Sequence, residues 1–138
     1  MTLDRFLDGQ AEVWEDALGE LEAGHKRSHW MWFIFPQLAV LGRSQTAKFF
    51  GIRDIAEARA YLAHPVLRAR LEACADAILM HDDMSAEEIL GDIDALKLRS
   101  SATLFRAAGG GEPFEAILDT FYDGEACEVT QRYLDESA

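Results

Sequence analysis

Apolar residues recur at three- and four-residue steps through most of the chain. Leu3, Phe6, Leu7, Trp14, Ala17, Leu18 and Leu21 trace the first such stripe and predict an amphipathic helix from about Leu3 to Glu22. Thr2 is placed to cap its start, and Gly24 to end it in the left-handed conformation that glycine adopts without strain. Gly42-Arg43-Ser44 reads as a turn, after which Ser44 caps a short helix through Phe49 and Phe50. Asp54-Ile55-Ala56-Glu57 has capping-box spacing and opens a helix that His64-Pro65 ends. Pro65 then starts the next helix, to Met80, with Val66, Leu67, Leu71, Cys74, Ile78 and Leu79 as its stripe. Ser85-Ala86-Glu87-Glu88 is a second capping box. Asp94 caps a helix over Ala95–Phe105, Pro113 begins one that carries Phe114, Ile117, Leu118 and Phe121, and a last helix runs from about Cys127 to Leu134.

Periodicity fails from His25 to Phe35. The block Trp30-Met31-Trp32-Phe33-Ile34-Phe35 is apolar at every position and reads equally as a buried strand or a buried helical turn. Pro36 disfavours helical geometry at Phe35. Its bulk predicts that Trp30, Phe33 and Phe35 are core. With about seven capped helices, short connections, no repeat and no linker, the pattern predicts an all-α, single compact multihelical domain over residues 1–138.

Length agrees, since 138 residues are the size of one domain with a sizeable core. The net charge of −12 sets a surface that repels nucleic acid and anionic membrane, so neither is expected as a partner. No stretch has the look of a signal peptide or a membrane span, and Cys74 and Cys127 stand apart from any CxxC pattern; a cytoplasmic location is expected. The oligomeric state is not legible.

Charge is segregated along the chain. Gly24–Arg53 holds Lys26, Arg27, Arg43, Lys48 and Arg53, and Ala95–Gly111 holds Lys97, Arg99 and Arg106; neither segment has an acid, although the chain has 25. Arginine donates two parallel hydrogen bonds to phosphate or carboxylate, and hydroxyls and backbone amides add donors. The reading is that both segments line one cleft for a small anionic ligand, phosphorylated or nucleotide-like. Its candidate residues are Lys26, Arg27, Ser28, Trp30, Gln37, Arg43, Ser44, Lys97, Arg99, Ser100, Ser101 and Thr103, in a basic, Trp-lined pocket. Trp30 or Trp32 would stack on a planar ring. The competing reading is that these bases pair with surface acids.

No P-loop, dinucleotide fingerprint or nucleophile elbow occurs, and no cofactor is implied. If the site is catalytic, His29 is the candidate general base, within the first basic segment. His25 and His29 are four apart, but Lys26 and Arg27 between them repel a cation, so no metal is expected. The alternative to ligand binding is a non-catalytic interaction domain that exposes the aromatic run as a patch.

The blocks Lys26-Arg27-Ser28-His29-Trp30-Met31-Trp32-Phe33-Ile34-Phe35-Pro36-Gln37, Gly42-Arg43-Ser44, Ala60–Leu67 and Lys97–Phe105 resemble the signature of the domain-of-unknown-function family 1810. The resemblance spans nearly the whole chain. It implies a multihelical, mostly bacterial family and supplies no reaction; the calpastatin label that some members carry belongs to disordered polar repeats and does not suit this pattern. Leu67-Arg68-Ala69-Arg70-Leu71 with the later Gly91-x-x-Asp94 is faintly similar to YbiA-like (NADAR) domains, which implies ADP-ribose-related ligands, although the Trp-Gly element of those domains is missing.

Overall fold

The computed structural model describes residues 3–137. Among them the chain forms α1 (Asp4–Gln10), α2 (Trp14–Ala23), α3 (Met31–Ile34), a 3-10 turn (Ala39–Leu41), α4 (Gln45–Phe49), α5 (Ile55–Ala63), α6 (Pro65–Leu79), α7 (Ala86–Leu90), α8 (Asp92–Ala107), α9 (Glu112–Phe121) and α10 (Glu128–Ser137). The all-α class holds, with ten α-helices where the pattern predicts about seven. Extended pairing among the described residues is one isolated parallel bridge, Leu38 to Ile52.

The two long helices α6 and α8 organise the packing. α6 carries α2, α5 and α9, while α8 carries α5, α7, α9 and α10. A run of ring contacts crosses the interior: Phe6 meets Tyr61 edge-on at 5.1 Å between centroids, Tyr61 meets Phe105 at 5.2 Å, and Phe105 meets Phe114 at 5.7 Å. These rings join α1, α5, α8 and α9, and such pairs contribute beyond their buried area.

Most cap signals act as read. Gly24 ends α2 at φ 75°, Ser44 and Asp54 accept the amides of Ala47 and Glu57, Pro65 opens α6, and Ser85 and Glu88 form a reciprocal capping box. The expected Thr2 cap lies outside the described residues.

Three points go beyond or against the sequence pattern. The first helix is two: Val13 N–H turns back to the carbonyl of Gln10, and the chain then restarts at Trp14. α1 packs on α3 whereas α2 packs on α6, which one straight rod could not do. Buried Gln10 anchors the end of α1 by donating to the carbonyl of Phe33 at 2.6 Å and to the Tyr61 hydroxyl at 3.0 Å. Gly9 does not break the helix; a Cβ there would stand 3.0 Å from the Phe33 ring, so glycine permits close approach. Second, the aromatic run contains the single helical turn α3, and Trp30, Phe33 and Phe35 are buried as expected. Third, α8 begins at Asp92 after Gly91 at φ 91°, so Asp94 lies inside its first turn instead of capping it. No helix of the described residues is long and apolar enough to cross a membrane.

Candidate functional site

A cleft of about 1160 Å³ opens between three walls. The first is Gln37 with the segment Leu41–Ala47, the second is one face of α8, and the third is the segment Glu125–Val129 that leads into α10. Each wall is held in a different way.

The first wall is pinned by the extended bridge. Ile52 donates to the carbonyl of Gln37 and Ala39 donates to the carbonyl of Ile52, both at 2.8 Å. Gly51 lies against the backbone of Ala39, where any Cβ would collide. The Ser44 hydroxyl is committed to the amide of Ala47 at 3.0 Å.

On α8, Ala95, Leu98, Ala102 and Phe105 are the core stripe. Ile93, Leu96, Lys97 and Ser100 follow at helical spacing on another face, and these four line the cleft together with Arg99. Lys97 sits 3.5 Å from Asp94 and over the Trp32 ring at 5.4 Å.

The third wall is tied to α8 by polar contacts. Arg99 Nε donates to the carbonyl of Glu125 at 2.9 Å, its guanidinium stands 3.4 Å from the Glu125 carboxylate, and it lies over the Tyr122 ring at 5.7 Å. Thr103 donates to the carbonyl of Arg99 at 2.8 Å and accepts the amide of Cys127 at 2.9 Å. Ser100 and Thr130 share a buried hydroxyl contact of 2.8 Å, and the Thr130 hydroxyl donates to the Cys127 thiol at 3.2 Å.

The two acid-free segments therefore do meet in space, but with fewer members than the sequence reading assigned. Gln37, Arg43, Ser44, Lys97, Arg99 and Ser100 line the cleft. Arg43 is exposed and makes no ion pair among the described residues, so it is the cation left open to a ligand. Lys26, Arg27, Ser28, His29 and Trp30 lie outside the cleft. Lys26 pairs with Asp94 at 2.9 Å and stands over the Trp30 ring at 5.1 Å; that carboxylate, shared with Lys97, joins the two basic segments without an external anion. Arg27 and His29 are exposed.

Ser28 and Trp30 serve Glu20. Its carboxylate accepts the backbone amides of Arg27 at 2.7 Å and Ser28 at 3.0 Å, the Ser28 hydroxyl at 2.6 Å and the Trp30 indole N–H at 2.9 Å. Burial pushes this carboxyl upward, but the Ser28 hydroxyl, the Arg27 amide, the Trp30 indole and the Ser28 amide outweigh it and hold the group down at about 2. Ser101 is buried inside α8 with its hydroxyl unpartnered, and Thr103 is consumed in binding α8 to the third wall. The pocket is not Trp-lined: Trp30 is core, Trp32 is half-buried behind Lys97, and no aromatic ring is among the lining residues.

Sequence reasoning missed Ile93, Leu96, Val129 and Cys127, which line the cleft. A signal existed for two of them. Ile93 and Leu96 lie three apart and off the core stripe of α8, where a solvated helix would carry polar residues.

No curated protein matches the chain significantly. It is similar to the conserved hypothetical protein Rv1873 from Mycobacterium tuberculosis, known from a crystal structure, with 44% sequence identity, a TM-score of 0.94 and 96% of each chain covered. The sequence also matches, over residues 1–134, the family described as "Protein of unknown function (DUF1810)", and the chain belongs to that family.

Proposed function

We propose that the cleft binds a small anionic, phosphorylated molecule, with Arg43 as its first anchor and Lys97 and Arg99 as supporting cations. The observation that carries this reading is the gathering of three cations from two separate walls in a chain of net charge −12. Glu125 and Glu128 also line the cleft, so its local balance is mildly positive, and Arg99 already spends part of its charge on Glu125. Arg43 has no such competitor, and its planar fork suits a phosphate or carboxylate. The reading is binding and not catalysis: His29, the candidate base, is outside the cleft. The interaction-domain reading needed the run from Trp30 to Phe35 at the surface, and Trp30, Phe33 and Phe35 are interior.

Thermal shift and titration calorimetry with inorganic phosphate and ADP-ribose test the proposal. A ligand at 100 times its Kd stabilises the fold by about 2.7 kcal/mol. Arg43→Ala is expected to abolish the shift, and Arg27→Ala, outside the cleft, to preserve it. An Arg43→Ala protein that responds to these anions as the parent does would overturn the assignment.

A further inference from the structure

The cleft is more than a cation cluster. Among the described residues the large apolar side chains exposed to solvent include Ile93 at 71%, Leu96 at 66% and Val129 at 53%. All three line this cleft, from two different helices, and Leu41, Ala47 and Ala126 extend the same aliphatic surface across it. Scattered single hydrophobes on a surface need no explanation, but a concave set beside cations does. The apolar part of the lining is aliphatic throughout. A nucleobase is recognised by ring stacking and by paired polar edges, and no ring lines this wall.

The order along α8 adds a direction. Its cleft face is aliphatic at Ile93 and Leu96 and becomes polar at Lys97, Arg99 and Ser100. A ligand lying along this helix meets methyl groups first and cations next. The volume of about 1160 Å³ is also far more than a bare phosphate or sulfate can fill.

Resting on the anion reading above, we infer that the ligand is an amphiphilic anion with an aliphatic body: a soluble acyl or alkyl chain that ends in phosphate or carboxylate. The chain lies on Ile93, Leu96 and Val129, and the head group meets Lys97 and Arg43. A nucleotide satisfies only the head-group half of this surface.

Calorimetry with inorganic phosphate, butyl, hexyl and octyl phosphate below their micellar range, AMP and 1-hexanol separates the possibilities. Affinity is expected to rise by up to about fourfold per added methylene, the value for a fully buried one, with AMP no tighter than butyl phosphate and 1-hexanol too weak to measure. Leu96→Gln keeps an exposed position and a good helix former, so it is expected to fold and to flatten the chain-length series. Equal affinity for phosphate and octyl phosphate would overturn the aliphatic assignment and leave the anion reading intact. Hexanol binding as tightly as hexyl phosphate, with no response to inorganic phosphate, would remove the anion reading instead. AMP binding above octyl phosphate, or stronger attachment to phosphatidic-acid vesicles than to the free alkyl phosphates, would each overturn the assignment to a soluble aliphatic anion.

Discussion

The indole N–H of Trp30 donates to Glu20 Oε1 at 2.9 Å, so the most buried tryptophan of the aromatic run is hydrogen-bonded to the last turn of α2. The same carboxylate holds the amides of Arg27 and Ser28 and thereby folds the connection from α2 to α3. A basic-looking stretch is in this way organised by one acid outside it. Removing that acid strands a buried donor, which costs more than the lost bond itself.

Glu20→Ala is therefore expected to destabilise the protein by about 1.5–3 kcal/mol at neutral pH, the range for hydrogen bonds to a charged group. The effect has a pH signature. The folded pKa is held at about 2, below the ordinary value of 4.5, so the contribution is complete above that ordinary value and is lost as pH falls toward the folded one. Denaturant melts of the parent and of Glu20→Ala between pH 7 and pH 2 should converge across the acid range. A gap of constant size would show that Glu20 acts through something other than its charge.

The interior of the aromatic run gives a second expectation. Phe33 packs edge-on against Phe50 at 5.1 Å and faces Gly9. Phe33→Ala should cost about 3–5 kcal/mol. Gly9→Ala should behave against helix propensity. Propensity alone favours alanine by about 1 kcal/mol, but the new methyl would sit 3.0 Å from a buried ring. Its midpoint in urea is expected at or below that of the parent; a clear rise would mean that the Phe33 ring moves aside freely.

What could be read from residues alone follows the range of the interactions concerned. Caps are local: Ser44, Asp54 and Ser85 bond to amides three residues on, so their role is visible in a short window. The break between α1 and α2 is not local. It is set by Gln10 reaching Phe33 and Tyr61, residues 23 and 51 positions away, and nothing between Ala11 and Val13 announces it. The candidate site divides in the same way. Charge segregation located Arg43, Lys97 and Arg99, because an acid-free segment is a property of sequence. It misplaced Lys26, because Asp94 lies just before the second segment and becomes a neighbour only in the fold. It assigned Ser28 and Thr103 to the cleft, because a hydroxyl that serves a ligand and one that serves its own protein, as Ser28 serves the Glu20 carboxylate and Thr103 the carbonyl of Arg99, are the same residue in sequence.

The two cleft arginines are expected to differ when truncated. Arg43 has no protein partner among the described ion pairs, so Arg43→Ala should leave stability within about 0.5 kcal/mol of the parent. Arg99 holds the third wall through the Glu125 carbonyl and Tyr122, so Arg99→Ala should cost about 1 kcal/mol even without ligand. Lys in place of Arg99 should recover little of this, since it lacks the planar fork. Equal melting of Arg43→Ala and Arg99→Ala would place Glu125–Val129 under the control of other contacts.

The two cysteines separate in the same experiment on native protein. Cys74 is buried on α6, and burial, with Glu22 nearby, pushes its thiol up to about 12, so at neutral pH it is neither reached nor ionised. Cys127 is only partly buried, lines the cleft and receives the Thr130 hydroxyl. Titration with a disulfide reagent at pH 8 should modify one thiol in the native state and the second only in denaturant. Cys127→Ser should remove the native reaction and Cys74→Ser should leave it. Because Cys127 lies on the wall beside Arg99, a ligand that fills the cleft should slow its modification, and the concentration that halves the rate should match the Kd from calorimetry. Modification of both thiols at one rate would instead show that α6 opens as readily as the cleft wall. A Cys127 rate unchanged by a ligand that calorimetry shows to be bound would move that ligand away from α10.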